Sequence, residues 1–287
     1  MPGHMLAALA AYPELGCTGG PYEVGHYWGV YRDILCGGNA RVYQFVCDVL
    51  DEVCDLFPSE YIHIGGDEAP KMRWAACPKC QQMIRDKGIT DSDRQNKEDR
   101  LQGYFTTQVQ HYLAGKGRKI IGWDELLACH VDKSATIMSW QGAEPGAKAA
   151  ALGHDVIMTP NSYAYFDYYQ TGKTHNEPLF IGGNLPIEKT YSFEPVPDGT
   201  PAEAAAHILG VQANLWSEYI TSEQLAEYQV LPRMAALSEV QWMLPSQRDF
   251  HKFMGRLEHL RGYYDLCGYT YARHLWPDQY LEASREL

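Results

Sequence analysis

Two adjacent carboxylates, Asp67 and Glu68, follow a Gly65-Gly66 pair and a run of bulky and β-branched residues, Tyr61-Ile62-His63-Ile64. The run has the pattern of a short buried strand. The glycines let the backbone turn sharply or come close to a ligand. In parallel α/β proteins the carboxyl ends of the strands are where active sites are built. Neighbouring residues on extended backbone point in different directions, so Asp67 and Glu68 can address two atoms of one substrate. A helix N-terminus also favours acids, but it gives the two glycines no role.

Other strand-like runs end on residues suited to gripping a ligand. Lys119 to Glu125 carries Trp123, Thr136 to Trp140 ends on Trp140, and Ile208 to Trp216 leads into Trp216-Ser217-Glu218. Tyr165 and Asp167 stand on a long loop after a run that ends near Thr159. A lone tryptophan more often packs a core; several at corresponding strand ends mark the ligand rim of a parallel sheet.

The elements between these sites alternate. Asn39 can cap a helix over 40–56, with Val42, Phe45, Val46, Val49, Leu50, Val53 and Phe57 recurring at helical spacing and Pro58 ending it. Residues 71–92 read as polar and irregular, and 93–115 as a helix with Leu101, Phe105, Val109 and Tyr112 inward. Further helices are expected over 144–152, 201–206, 222–243 and 247–262, with a strand over 155–159. The Gly- and Pro-rich stretch 171–200 gives no clear element, and the aromatic tail 263–287 is expected to pack on the outside. Strands that alternate with helices imply an α/β fold with a parallel sheet. With no internal repeat and no low-complexity linker, residues 1–287 read as a single domain.

The charge of −12 argues against nucleic acid or an anionic membrane surface as partner. Aromatic content of 12% suits a neutral substrate held between rings. No apolar run approaches the ~18 residues of a membrane span, and Met1-Pro2-Gly3-His4 does not open a signal peptide. Of the eight cysteines, Cys17 and Cys36 flank a Gly- and aromatic-rich loop, and Cys77-Pro78-Lys79-Cys80 is a Cys-x-x-Cys. Bridges 17–36 and 77–80 would fit an oxidising compartment. The alternative for 77–80 is half of a zinc site, although no second Cys-x-x-Cys or histidine pair follows. A thioredoxin-like motif is a weaker reading.

His63 to Glu68, as His-x-Gly-Gly-Asp-Glu, resembles the signature of glycoside hydrolase family 20, the β-N-acetylhexosaminidases. The later motifs follow in the family's order. The resemblance implies a (β/α)8 TIM barrel of which this chain holds strands four to eight and their helices. Pro2-Gly3-His4 matches the end of the family's Asp-x-Pro-Gly-His on strand three, which places His4 near the catalytic acid. Strands one to three, a small preceding domain, and an arginine and an aspartate from the first two strands have no counterpart. An open edge of that kind would be covered by a second copy of the chain or leave the fragment weakly stable.

The resemblance also assigns roles. Trp123, Trp140 and Trp216 match the tryptophans that wall the N-acetyl pocket. Tyr165 matches the tyrosine that hydrogen-bonds the acetamido oxygen, and Asp167 and Glu218 match residues that hold sugar hydroxyls. The implied reaction is removal of terminal β-linked GlcNAc or GalNAc by a retaining, substrate-assisted route. Asp67 would orient the acetamide and Glu68 would serve as general acid and base with a raised pKa. No cofactor or metal is implied, and an extracytoplasmic location is. Two other readings stand beside this one. His4, His63, Asp67 and Glu68 have the residue types of a zinc or manganese hydrolase, although His63 in the strand body reads better as a core histidine. An inactive GlcNAc-binding or assembly module would keep the aromatic walls.

Overall fold

The computed structural model describes residues 1–93 and 95–276. Among these, five strands form one sheet in the order β1-β2-β3-β4-β5, each next to its neighbour in sequence. The strands are β1 (Tyr61–His63), β2 (Lys119–Trp123), β3 (Thr136–Ser139), β4 (Val156–Met158) and β5 (Ile208–Val211). The helices are α1 (Leu6–Ala11), α2 (Ala40–Leu56), α3 (Met72–Ala76), α4 (Pro78–Asp86), α5 (Lys97–Gly115), α6 (Ala143–Ala151), α7 (Asn161–Ala164), α8 (Ile187–Tyr191), α9 (Ala202–Ala205), α10 (Glu223–Val230), α11 (Arg233–Trp242) and α12 (Phe250–Cys267). This is the expected α/β class. No helix among the described residues is long and apolar enough to cross a membrane.

The chain divides into two compact units. The first comprises Met1–Ser139, Pro145–Ile157 and Pro201–Ile208; the second comprises Trp140–Glu144, Met158–Thr200 and the chain from Leu209 onward.

In the first unit, β1 pairs with β2 and β2 with β3, both in parallel, with Ile62 opposite Ile120 and Gly122 opposite Ile137. Asn39 caps α2 by accepting from the Arg41 amide at 3.1 Å. Val42, Val46 and Leu50 form its buried stripe, but Val49 and Phe57, expected inward, are exposed. Phe57 is the C-cap, in extended backbone, and so leaves the helical face. Residues 71–92 are more ordered than their polarity suggests. Pro78 starts α4 at its first position, where its missing N–H costs nothing, and Trp74, Cys80 and Ile84 are buried. Leu101, Phe105 and Val109 of α5 are buried as expected.

In the second unit, the helix expected over 222–243 is two helices, α10 and α11. Pro232 lies between them, and an interior proline lacks the donor that would continue the ladder. Ile187, Tyr191, Ala236, Phe253 and Leu257 make a core cluster there. Helix α12 runs to Cys267, beyond the expected end. Of the aromatic tail, Tyr264 and Tyr271 are buried and residues 277–287 lie outside the described residues.

Candidate active site

In the first unit the chemistry gathers where β1 ends. The extended backbone continues past the strand, with the Ile64 amide donating to the Ile121 carbonyl at 2.9 Å and the Trp123 amide to the Gly65 carbonyl at 3.0 Å. The glycines then turn the chain at φ 74° and 106°. At Gly66 the positive φ requires glycine, and a β-carbon there would also press on the Leu126 Cδ2 methyl at 2.8 Å. Glu68 adopts φ 45° and His4 φ 55°, left-handed backbone that costs a non-glycine residue of order 1 kcal/mol or more. Such outliers concentrate at functional sites. Gly3 makes the approach possible: a β-carbon there would lie 2.8 Å from the Asp67 carbonyl oxygen.

The result is a compact triad. His4 Nε2 lies 3.2 Å from Asp67 Oδ2 and 3.2 Å from Glu68 Oε2. Burial pushes the Asp67 carboxyl up, but the hydrogen bond and charge of His4 outweigh it and hold the group below the usual carboxylate range. The Asp67 hydrogen bond in turn raises the His4 imidazole above its ordinary value, against the opposing effect of burial. His4, Asp67 and Glu68 also offer atoms close enough to contact a single cation. His63 does not join them. Its Nδ1 accepts from the Gly65 amide at 3.1 Å and its ring meets Trp123 edge-on at 4.8 Å. His63 is exposed rather than a core residue, which corrects the sequence expectation.

In the second unit, Trp140, Tyr165 and Trp216 are brought together. Tyr165 stacks on Trp140 and meets Trp216 edge-on, each at 6.3 Å between centroids. Tyr165 is placed by a bridge to Asn214: the Phe166 amide donates to the Asn214 carbonyl at 2.7 Å, and the Asn214 amide to that of Ala164 at 2.8 Å. Asp167 is 4% exposed, and its Oδ1 has no hydrogen-bond partner among the described residues. Burial first, and the Glu218 charge second, push it up to about 6. Glu218 itself is exposed.

Several positioning residues were not legible beforehand. Gln102, buried on α5, donates to the Gly66 carbonyl at 2.7 Å and fixes the glycine turn. Its sign in the sequence is an amide amid the apolar stripe of α5. Arg233, fully buried at the start of α11, lies over the Phe166 ring at 4.9 Å and donates to the carbonyls of Phe166, Tyr168, Leu185 and Gln229. Gln229 donates to the Asp167 carbonyl at 3.0 Å. Together they clamp the backbone that carries Tyr165 and Asp167. An arginine just after Pro232 in an apolar helix was the available clue.

The four cysteines expected in two bridges are not bridged, and none of the eight is in a disulfide. Cys17, Cys36, Cys77 and Cys80 instead converge in one cluster.

The catalytic-domain profile described as glycosyl hydrolase family 20 matches residues 1–245. The chain belongs to glycosyl hydrolase family 20. Among its curated relatives, the β-hexosaminidase of Porphyromonas gingivalis is 44% identical over 94% of this chain and 34% of its own length. The β-hexosaminidase of Vibrio furnissii is 34% identical over 83% of this chain and 38% of its own. The structure of the family 20 exo-β-N-acetylglucosaminidase of Vibrio harveyi in complex with N-acetylglucosamine aligns at a TM-score of 0.79 and 30% identity, covering 95% of this chain and 42% of that one. The chain thus spans little more than a third of the length of these two curated relatives.

Proposed function

We propose that this family 20 chain removes terminal β-linked N-acetylhexosamine from glycans, with retention, through the substrate's own acetamide. The observation that carries this reading is the His4–Asp67–Glu68 triad with both His4 and Glu68 held in left-handed backbone. The acetamido oxygen attacks the anomeric carbon as the glycosidic C–O bond breaks, and Glu68 protonates the departing oxygen. Asp67, kept ionised by His4, orients the acetamide N–H and stabilises the positive charge that grows on its nitrogen. The cyclic oxazolinium then opens to water, with Glu68 accepting the water's proton. An internal nucleophile held in place gains the advantage of an intramolecular step.

Tyr165 takes the role of donor to the acetamido oxygen, and Trp123, Trp140 and Trp216 that of apolar walls for the methyl group. The bare Oδ1 of Asp167 is suited to accept from a sugar hydroxyl, since an unpaired buried acceptor gains most from a ligand donor; Glu218 takes a second hydroxyl. The five strands are read as the last five of an eight-stranded barrel within one catalytic domain. The location outside the cytoplasm rests on the family resemblance alone.

The test compares aryl β-N-acetylglucosaminide with aryl β-glucoside as substrates for the intact natural protein. The expected outcome is turnover of the acetamido sugar only. Comparable turnover of both would remove the acetamide from the mechanism.

A further inference from the structure

The cysteine cluster lies in the first unit, built from three separate stretches of chain. Cys17 follows the turn after α1, Cys36 closes the loop that begins there, and Cys77 and Cys80 bracket the first turn of α4. Cys36, Cys77 and Cys80 are buried and Cys17 is half-buried. The Cys36 Sγ is 3.7 Å from that of Cys77 and 3.6 Å from that of Cys80, and Cys17 Sγ is 3.9 Å from that of Cys80. All four sulfurs lie within 4.8 Å of one another.

Those separations decide between the chemistries open to four thiols. A disulfide needs sulfurs about 2.05 Å apart. A tetrahedral zinc with bonds of about 2.3 Å puts its four sulfurs roughly 3.8 Å apart. The three closest spacings fall on the tetrahedron's edges. The backbone is shaped for the same purpose. Leu35 and Gly16 form an antiparallel bridge, and the Cys36 amide donates to the Leu15 carbonyl at 2.9 Å, which sets Cys17 and Cys36 side by side. The turn after Cys36 rides on the Cys77–Cys80 turn so closely that a β-carbon at Gly38 would lie 2.2 Å from the Lys79 carbonyl and 2.3 Å from the Cys80 amide. Cys77 occupies the N-cap position of α4 yet makes no side-chain cap bond, leaving its sulfur turned to the cluster.

We propose that Cys17, Cys36, Cys77 and Cys80 bind one structural zinc ion as thiolates. Four protein ligands fill the tetrahedron, so the site is closed and takes no part in the hydrolysis. Its work is to fasten the long loop between Cys17 and Cys36 to α4. That loop ends at Leu35, whose amide donates to the Pro2 carbonyl at 3.2 Å and whose carbonyl accepts from Trp74 Nε1 at 2.9 Å. The ion therefore anchors the stretch that presents His4, and binding releases the thiol protons to solvent.

Metal analysis of the intact protein, purified without chelator or added reductant, tests this. About one zinc per chain is expected. Exchange for cobalt(II) should give the visible bands of a tetrahedral tetrathiolate, and a chelator strong enough to remove the ion should lower the thermal midpoint. Cys36→Ser and Cys80→Ser should each lose the zinc, while His4→Ala, which disrupts the other cation-sized cluster, should keep it. The wild-type metal content and cobalt spectrum stand even if the cysteine variants fail to fold. Metal well below one per chain, an intact mass short of two or four hydrogens from disulfides, iron in place of zinc, or zinc lost with His4→Ala would each overturn the assignment.

Discussion

Asp67 and Asp167 are carboxylates treated in opposite ways. Asp67 is partly buried and has His4 beside it; partnership wins over burial and the group stays below the usual range. Asp167 is buried with one oxygen bare, and burial lifts it to about 6. In the proposed mechanism Asp67, which carries charge through the reaction, has a fixed partner. Asp167, proposed to hold a sugar hydroxyl, has one oxygen without a partner, and the backbone around it is clamped instead. The first unit spends strain on its side chains' placement, at His4 and Glu68; the second spends a buried guanidinium, Arg233.

The largest effect is expected from neutralising Glu68, the proposed proton carrier. Glu68→Gln should lower kcat on substrates with poor leaving groups by about 10²–10⁴-fold, the usual worth of general acid–base help. Activated aryl leaving groups should suffer less. Equal losses for both classes would show that Glu68 does not protonate the leaving oxygen.

Next is the clamp. Arg233→Met removes donors from the carbonyls of Phe166, Tyr168 and Leu185. Each orphaned buried acceptor costs about 1–3 kcal/mol, so urea unfolding should show a loss of several kcal/mol, with a raised KM in the molecules that remain folded. Unchanged stability would mean that the loop holds its shape without the guanidinium.

A smaller effect concerns pH. With its folded pKa raised to about 6, Asp167 binds its proton more tightly in the native than in the unfolded chain. Its contribution to stability therefore falls as pH rises from the ordinary carboxylate range to about 6, and levels off above. Asp167→Asn should flatten that part of the stability profile and weaken sugar binding above pH 6 more than below it. A profile of the same slope in the variant would place the titration elsewhere.

The strands, helices α2 and α5 and the acid pair were legible because apolar periodicity and the Gly-Gly turn act locally. What escaped was set by contacts distant in sequence. Polarity hid α3 and α4, whose order comes from burying Trp74, Cys80 and Ile84. Spacing alone paired Cys17 with Cys36 and Cys77 with Cys80, whereas the fold joins all four. Arg233 and Gln102 stand out only as polar residues within apolar helices, and the carbonyls they serve, tens of residues away, are brought to them by the fold.

In the proposed mechanism the substrate's acetamide is the nucleophile, held by Tyr165 and oriented by Asp67. Calorimetric titration of the intact protein with the thiazoline analogue of the bicyclic intermediate addresses it directly. The thiazoline should bind far more tightly than N-acetylglucosamine, as intermediate mimics do, and Tyr165→Phe should weaken it by about tenfold or more, roughly 1.4 kcal/mol. A thiazoline that binds no better than the free sugar, in wild type and variant alike, would contradict it.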